Sequence, residues 1–237
     1  MTSDVAAVWK SLEQAQREGT TVATEPAGKN LLVNFGVAVP DSRVVISADE
    51  AVDAARVIGW PVVVKVVAPD LAHKSEVQGV VGPLYTVGEV RRAVSRISHP
   101  KEIGVMVERW EDDGVACFVG LNLKGQFGPT LSFGMGGIWI ELLRDLSHRL
   151  APVNEEEARD MILSVQAAPV FRGARNRAPV DLSALSAAVA HISTIANDPN
   201  AQRLINDLDV NPLLARTNGK PIALDATITL RKPFETS

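Results

Sequence analysis

The fold is decided by the stretch Gly59-Trp60-Pro61-Val-Val-Val-Lys65-Val-Val, residues 59–67. Glycine and proline end the helix predicted before it, and the short β-branched run 62–67 predicts a strand that is buried on both faces. Lys65 is the one charged residue in this run. A buried ammonium needs an anion, because an unpaired buried charge costs several kcal/mol. A nucleotide phosphate would supply it, and so would a carboxylate of the protein; a lysine at a strand edge would reach water instead.

Helix and strand patterns alternate on both sides of this strand. Helix starts are predicted by three capping boxes, Ser47 to Glu50, Thr86 to Glu89 and Asn154 to Glu157. Further strands are predicted at 104–108, 115–121, 129–133 and 222–230. We therefore predict an α+β (mixed α/β) fold in two lobes with a ligand in the cleft between them. The predicted division is 1–24 as helix and linker, 25–105 as the first lobe, and 106–237 as the second lobe with metal-binding strands.

Composition excludes several classes of protein. The chain has 237 residues, 46% of them hydrophobic, which is enough for one large core or two small ones. Its net charge of −4 gives no electrostatic footprint for nucleic acid or an anionic membrane. No apolar run approaches the roughly 20 residues that span a bilayer, and the N-terminus lacks a signal-peptide pattern. The single cysteine, Cys117, lies in the apolar stretch 115–121, which predicts that its thiol is buried. We expect a cytoplasmic enzyme or binding protein.

A polar segment follows the lysine strand. It runs from Pro69-Asp70 through His73, Lys74 and Ser75 to Gly79. Backbone N–H groups, the Lys74 ammonium and the Ser75 hydroxyl are groups that bind phosphate oxygens. Neutral imidazole is a competent nucleophile, so His73 is a candidate to accept a phosphoryl group. The alternative is a solvated turn with an incidental histidine.

Two further features carry candidate chemistry. Gly134-Met135-Gly136-Gly137 follows a predicted strand, and paired glycines allow a ligand to approach the backbone, although taken alone they are explained better by a structural turn. The second feature is oxygen-rich: Asp207, Asp209 and Asn211 alternate and share one strand face, and Asp225 lies on the next strand. Such ligands suit Mg²⁺, which takes few protein oxygens together with phosphates and water. A hydrated strand face is the alternative.

Together these segments resemble the ATP-grasp part of the ADP-forming acetate–CoA ligases and related acyl-CoA synthetases. The resemblance runs in order from about Glu25 to Leu230. It is carried by 59–66, by the segment Pro69–Val80, by Gln126-Phe-Gly-Pro129, by Phe133–Ile138, by Arg149-Leu-Ala-Pro152, by Leu208–Leu213 and by Leu224-Asp225. It implies an ATP-grasp fold with the nucleotide between the two lobes.

The resemblance also implies roles for single residues. Lys65 would hold phosphate oxygens of ATP, with Lys74 and Ser75 as further nucleotide-binding residues. Glu108, Arg109 and Trp110 would form the hinge that binds adenine, mostly through backbone. Asp209, Asn211 and Asp225 would organise Mg²⁺ near the terminal phosphates, with Asp209 counted among the catalytic residues. His73 would carry the phosphoryl group, and Gly136 and Gly137 would border the place that it approaches.

The reaction implied by the resemblance joins a carboxylic acid, CoA and ATP to give acyl-CoA, ADP and phosphate. CoA would be bound by a separate, alpha-type partner subunit, since this chain is too short to supply that part. Ala116 and Lys124 depart from the family, which commonly has acidic residues at both positions. These departures leave open a non-catalytic nucleotide-binding or assembly subunit. A CoA-independent carboxylate–amine ligase of ATP-grasp type is a second alternative, against which His73 argues, because direct acyl-phosphate chemistry needs no phosphohistidine. The acid and the preference for ATP or GTP are not encoded in a readable motif.

Overall fold

Two sheets, each with its own hydrophobic cluster, make up the protein. The computed structural model describes residues 4–71, 78–97, 101–173 and 178–232. The smaller cluster is built mainly from residues 45–107, and the larger one combines residues 8–37 with residues 117–230. The mixed α+β fold in two lobes is therefore confirmed.

The smaller lobe is a four-stranded antiparallel sheet with two helices on one face. Its strands are β1 (Ser42–Val45), β2 (Val62–Val67), β3 (Val80–Leu84) and β4 (Gly104–Arg109), in the spatial order β1-β4-β2-β3. Its helices are α3 (Ala48–Ile58) and α4 (Val87–Arg96). All six residues of β2 are buried, as the sequence predicts. Val62, Val64 and Val66 pack into the helix-covered core, so Val63 and Lys65 lie on the opposite face.

The larger lobe is built on a second antiparallel sheet. Its strands are β5 (Val115–Asn122), β6 (Thr130–Met135), β7 (Leu146–Leu150), β8 (Ile205–Ala215), β9 (Ile222–Ala223) and β10 (Thr227–Leu230), in the order β10-β8-β5-β6-β7 with β9 also on β8. The helices of the larger lobe are α1 (Val5–Arg17), α2 (Glu25–Asn34), α5 (Trp139–Leu143), α6 (Glu155–Ser164), α7 (Ala168–Phe171), α8 (Leu182–Thr194) and α9 (Pro199–Leu204).

Helix starts follow local sequence chemistry. The capping boxes at Thr86 and Asn154 are complete. Each side chain accepts a hydrogen bond from the N–H of the glutamate three residues later, and that glutamate's carboxylate accepts one from the N–H of the capping residue. Ser47 also caps α3 by accepting from the Glu50 N–H. The box predicted there is incomplete, because the Glu50 carboxylate accepts from the Ile46 N–H instead.

The lobes divide the chain differently from the sequence-based boundaries. The predicted boundary at 105 and 106 lies inside β4. Helix α2 does not belong to the first sheet, since Leu31 and Leu32 are fully buried in the larger cluster. A Cβ at Gly28 would lie 2.7 Å from the Ala226 carbonyl oxygen, so glycine allows α2 to approach the β9–β10 connection closely.

The predicted strand 222–230 is interrupted. Its alternating pattern is real, but the chain leaves the ladder between β9 and β10 at residues 224–226. The Leu224 carbonyl oxygen accepts a hydrogen bond from Lys65 Nζ at 2.6 Å, so this break carries a contact to the other lobe. Alternation alone does not reveal such a break.

Asp70 ties the end of the first sheet to the edge of the second. Its Oδ1 accepts from the N–H groups of Thr21 and Val22 at 2.7 and 3.2 Å, and its own N–H donates to the Val22 carbonyl. Thr21 in turn accepts from the Leu230 N–H of β10. Lys101 Nζ donates to Asp70 Oδ2 at 2.6 Å. The Lys101 ammonium, and then the N–H groups of Thr21 and Val22, hold the pKa of Asp70 well below its ordinary value, although partial burial opposes them.

We expect Asp70→Ala to destabilise the protein by about 2 kcal/mol, because it removes several of these hydrogen bonds at once. Asp70→Asn should lose less, since asparagine tolerates the φ of 59° at this position and still accepts N–H donors. A carboxylate with a lowered folded pKa stabilises the fold above its unfolded pKa of about 3.9 and loses that contribution as pH falls towards the folded value. Urea unfolding should therefore show the wild type and Asp70→Asn converging as pH falls below about 4. A stability difference that is constant from pH 7 to pH 3 would contradict the ionic contribution.

No helix within the described ranges is both long enough and apolar enough to cross a membrane.

Candidate functional site

A cavity of about 220 Å³ opens between the two lobes, on the face of β2 that the helices leave uncovered. Its lining includes six of the residues predicted from the sequence to form the site: Lys65, Glu108, Arg109, Trp110, Asn211 and Asp225. They come from β2, from β4 and the residue after it, from β8, and from the β9–β10 connection. Segments far apart in sequence are thus brought to one cleft.

A buried cluster of four charged residues adjoins this cavity. Lys65 Nζ lies 2.9 Å from Glu25 Oε1 and 2.9 Å from Glu108 Oε1. Lys29 Nζ lies 2.8 Å from Glu25 Oε1 and also contacts Glu108 Oε2. We call Glu25, Lys29, Lys65 and Glu108 the charge cluster. It joins the lobes, because Glu25 and Lys29 belong to α2 whereas Lys65 and Glu108 belong to the first sheet.

The charge cluster is electrically neutral and almost closed to solvent. The exposed fractions of its four side chains are 9% for Lys65 and 3% or less for the others. Burial alone would lower the pKa of Lys65, but the carboxylates of Glu25, Glu108 and Asp225 raise it well above its ordinary value. Lys65 therefore carries a fixed positive charge at the cavity wall. Removing one partner of such a buried pair costs roughly 3–5 kcal/mol.

All three donors of the Lys65 ammonium have acceptors within the protein. These acceptors are Glu25 Oε1, Glu108 Oε1 and the Leu224 carbonyl oxygen. An ammonium has three N–H donors. A phosphate oxygen would therefore have to replace or share one of these acceptors. The carboxylate partner that the sequence allowed for Lys65 is thus supplied by Glu25 and Glu108.

The predicted adenine hinge lies at the cavity, with some of its backbone donors already used. The Arg109 N–H donates to the Asp41 carbonyl and the Trp110 N–H to the Pro61 carbonyl. The Arg109 guanidinium donates to the Ile58 carbonyl at the end of α3. The Glu108 side chain belongs to the charge cluster rather than to a base-binding edge. Glu111, the next residue, lines the same cavity with its carboxylate held by Arg216.

The oxygen-rich strand has the predicted alternation. Leu208 and Val210 are fully buried, while Asp207, Asp209 and Asn211 lie on the other face. The pairings of Asp209 with Thr227 and Leu213 with Ala223 bring Asp225 opposite Asn211. Asn211 and Asp225 line the cavity. Asp209 lies on the same face of β8, two residues before Asn211, and is not among the residues that line the cavity.

The donors at this end of the cavity fit Mg²⁺. Carboxylate and amide oxygens are its preferred protein ligands, and it keeps several positions for phosphate oxygens and water. Among the described residues no three His, Cys, Asp or Glu side chains are grouped closely enough to hold a metal ion by themselves. A Mg²⁺ held by Asn211 and Asp225 would thus complete its shell from the nucleotide and from water.

The two paired glycines serve different purposes. A Cβ on Gly136 would lie 2.6 Å from the Cys117 carbonyl oxygen of β5, so no other residue fits there without moving backbone. Gly137 has open space around it but a φ of 64°, which favours glycine. Its N–H donates to Asn211 Oδ1 at 2.7 Å, which fixes the glycine turn to the oxygen-rich strand.

We expect Gly136→Ala to destabilise the protein by about 3 kcal/mol, because the added methyl group overlaps the backbone of β5. Gly137→Ala should cost about 1 kcal/mol, the strain of a left-handed residue in open space. Urea unfolding of both variants at one pH measures the difference. Equal destabilisation would show that close approach to β5 is not the reason for the first glycine.

His73, Lys74 and Ser75 lie outside the described residues. Their assignments as phosphoryl carrier and nucleotide-binding residues stay predictions. Asp70, which the structure describes, ties the chain to the larger lobe three residues before His73.

Sequence reasoning missed two members of the charge cluster, Glu25 and Lys29. One signal was present in the sequence: a glutamate and a lysine four residues apart in the first two turns of a helix that begins after Thr24. A Glu–Lys pair at this spacing is normally read as a solvent-exposed helix pair. Only the three-dimensional structure shows that this pair is buried, because its side chains contact Lys65 and Glu108 of the first sheet.

Known proteins match the chain over nearly all its length. The profile of the ATP-grasp domain family matches residues 14–230. The beta subunit of acetate–CoA ligase [ADP-forming] I of Pyrococcus furiosus is 34% identical over 234 residues, 95% of this chain and 99% of that protein. The 4-hydroxybutyrate–CoA ligase [ADP-forming] of Nitrosopumilus maritimus is 34% identical over 219 residues, 89% of this chain. This chain spans only 31% of that longer protein.

A solved structure has the same fold. The dinucleotide-forming acetyl-coenzyme A synthetase 1 of Ca. Korarchaeum cryptofilum, with coenzyme A and Mg-AMPPCP, superposes with a TM-score of 0.81 at 35% identity. The match covers 93% of this chain and 98% of that one, and in that structure a phosphohistidine segment points towards the nucleotide-binding site. Family match, sequence identity and fold agree, so the chain belongs to the ATP-grasp domain family and, within it, to the beta-type subunits of the family of ADP-forming acetate–CoA ligases and related acyl-CoA synthetases.

Proposed function

We propose that this chain is the ATP-binding subunit of an ADP-forming acyl-CoA synthetase and moves a phosphoryl group between ATP and His73. The observation that carries the proposal is the cavity between the lobes. It gathers Lys65 and the segment 108–110, which the family resemblance assigns to the nucleotide, with Asn211 and Asp225, which it assigns to Mg²⁺. Two relatives of this length are named as beta subunits of ADP-forming acetate–CoA ligases, which supports an acid–thiol ligase reaction for the complete enzyme.

Different residues of the chain would have different roles in phosphoryl transfer. Such transfer needs positioning and charge neutralisation more than covalent help from the protein. Lys65 would neutralise phosphate oxygens, and Asn211 and Asp225 would hold Mg²⁺, which neutralises charge on the terminal phosphates. A lone-pair nitrogen of His73 would bond to the γ-phosphorus as the bond to the β–γ bridging oxygen breaks, leaving ADP. The same steps in reverse return the phosphoryl group to ADP.

A partner subunit is part of the proposal. We propose that an alpha-type subunit binds CoA and forms the acyl phosphate, so that the complete reaction needs both chains. The name of the Pyrococcus relative as a subunit beta supports this. The absence of a nucleic-acid or membrane partner, and a cytoplasmic location, remain predictions from the sequence.

The test is incubation of the purified chain with γ-labelled ATP and Mg²⁺, followed by treatment of the protein with acid and with base. Label that is stable to base and lost in acid identifies a phosphohistidine and supports the synthetase. Measurable ATP binding without label, even when the CoA-binding partner is added, favours the non-catalytic subunit that Ala116 and Lys124 suggested. Transfer of the label directly to a carboxylic acid, without CoA, favours the carboxylate–amine ligase.

A further inference from the structure

Lys29 is a buried cation that does not line the nucleotide cavity. Its side chain is 3% exposed, and both of its ionic partners, Glu25 and Glu108, are also partners of Lys65. The charge cluster thus contains two lysines that share the same two carboxylates. Only one of these lysines, Lys65, reaches the cavity wall.

We infer that Lys29 is a positioning residue for nucleotide binding: it holds the carboxylates of Glu25 and Glu108, so that Lys65 can turn to the phosphates of ATP. This inference rests on the proposed function. The three donors of Lys65 are engaged by Glu25, Glu108 and Leu224, so binding a phosphate means giving up at least one of them. With Lys29 in place, each carboxylate keeps a cation when Lys65 turns away.

Charge gives a second reason. Glu25, Lys29, Lys65 and Glu108 sum to zero, whereas the same cluster without Lys29 carries a net charge of −1 beside the cavity. The low polarisability of a buried site screens such a charge weakly. A net negative charge would oppose a polyphosphate, and it would oppose a ligand with more phosphates more strongly.

The experiment measures Mg²⁺-dependent binding of AMPPCP, ADP and adenosine to the full-length chain by isothermal titration calorimetry. Lys29→Met should lower the affinity for Mg-AMPPCP about tenfold, lower that for ADP less, and leave that for adenosine within about twofold. A purely structural role would change all three ligands alike. Lys10→Met, an exposed lysine of α1, is the matched control and should bind all three as the wild type does.

A charge-balanced double variant separates electrostatics from packing. Lys29→Met with Glu25→Gln leaves one lysine and one carboxylate, so the cluster is neutral again. We expect this variant to bind Mg-AMPPCP at least fivefold more tightly than Lys29→Met alone. If the single variant does not fold, the double variant is compared with Glu25→Gln alone, which differs from it only in keeping Lys29. Binding of Mg-AMPPCP at least about threefold weaker in the double variant then supports the inference, and equal binding overturns it.

Several results would overturn the inference. One is wild-type affinity for Mg-AMPPCP in Lys29→Met. Another is an equal loss for all three ligands, and a third is a double variant that binds no better than the single one. A wild-type chain that binds no Mg-AMPPCP at all would instead overturn the proposed function, and the inference with it.

Discussion

Lys65→Met should lower the affinity for Mg-ATP by about 100-fold. A charge-assisted hydrogen bond to phosphate is worth about 1.5–3 kcal/mol, and each 1.4 kcal/mol is tenfold in affinity. The substitution also leaves Lys29 as the one lysine of the charge cluster, so the cluster turns net negative beside the cavity. Both effects act against a polyphosphate. Calorimetric titration with Mg-AMPPCP measures the loss without turnover.

The same substitution should destabilise the fold, because it removes a cation shared by two buried carboxylates. Adding Glu25→Gln makes the cluster neutral again and should recover much of the lost stability. It should not recover nucleotide affinity, since the group that contacts phosphate is still absent. This behaviour is the opposite of that expected for the Lys29→Met double variant. If Lys65→Met with Glu25→Gln bound Mg-AMPPCP as the wild type does, Lys65 would have no direct part in nucleotide binding.

Much of the fold could be predicted because its signals are local. The continuous run 62–67 gave a strand buried on both faces, and Thr86 and Asn154 gave helix starts through side chains a few residues away. Asp209 and Asn211 alternate with buried residues, so their shared face could be read directly. In each case the physical cause lies within a few residues of the pattern that reveals it.

The charge cluster could not be predicted for the same reason. Glu25 and Lys29 become site residues only because α2 packs with the larger lobe and faces Lys65, 40 residues away in the chain. Nothing local distinguishes this pair from an exposed Glu–Lys pair on a surface helix. The backbone N–H groups of Arg109 and Trp110 are likewise bonded to the carbonyls of Asp41 and Pro61, which are far from the hinge in the sequence. Contacts between distant segments thus decide which residues complete the site.

His73→Ala should abolish incorporation of label from γ-labelled ATP, by at least about 1,000-fold, and leave Mg-ATP affinity within about twofold. The nucleophile is the atom that forms the new bond to phosphorus, so removing it stops the step outright. Nucleotide binding, by contrast, depends on charge around Lys65 and on Mg²⁺. This separation is the reverse of that for Lys65→Met, where binding is lost first.

Two other histidines provide controls for this result. His148 and His191 are exposed, lie on β7 and in α8, and are absent from the cavity wall. Alanine at either position should leave the acid-labile label unchanged. Label that persists in His73→Ala but disappears in one of these controls would move the phosphoryl carrier to another part of the protein. Equal loss of ATP binding in His73→Ala and Lys65→Met would contradict both assigned roles, because a carrier and a phosphate ligand must fail at different steps.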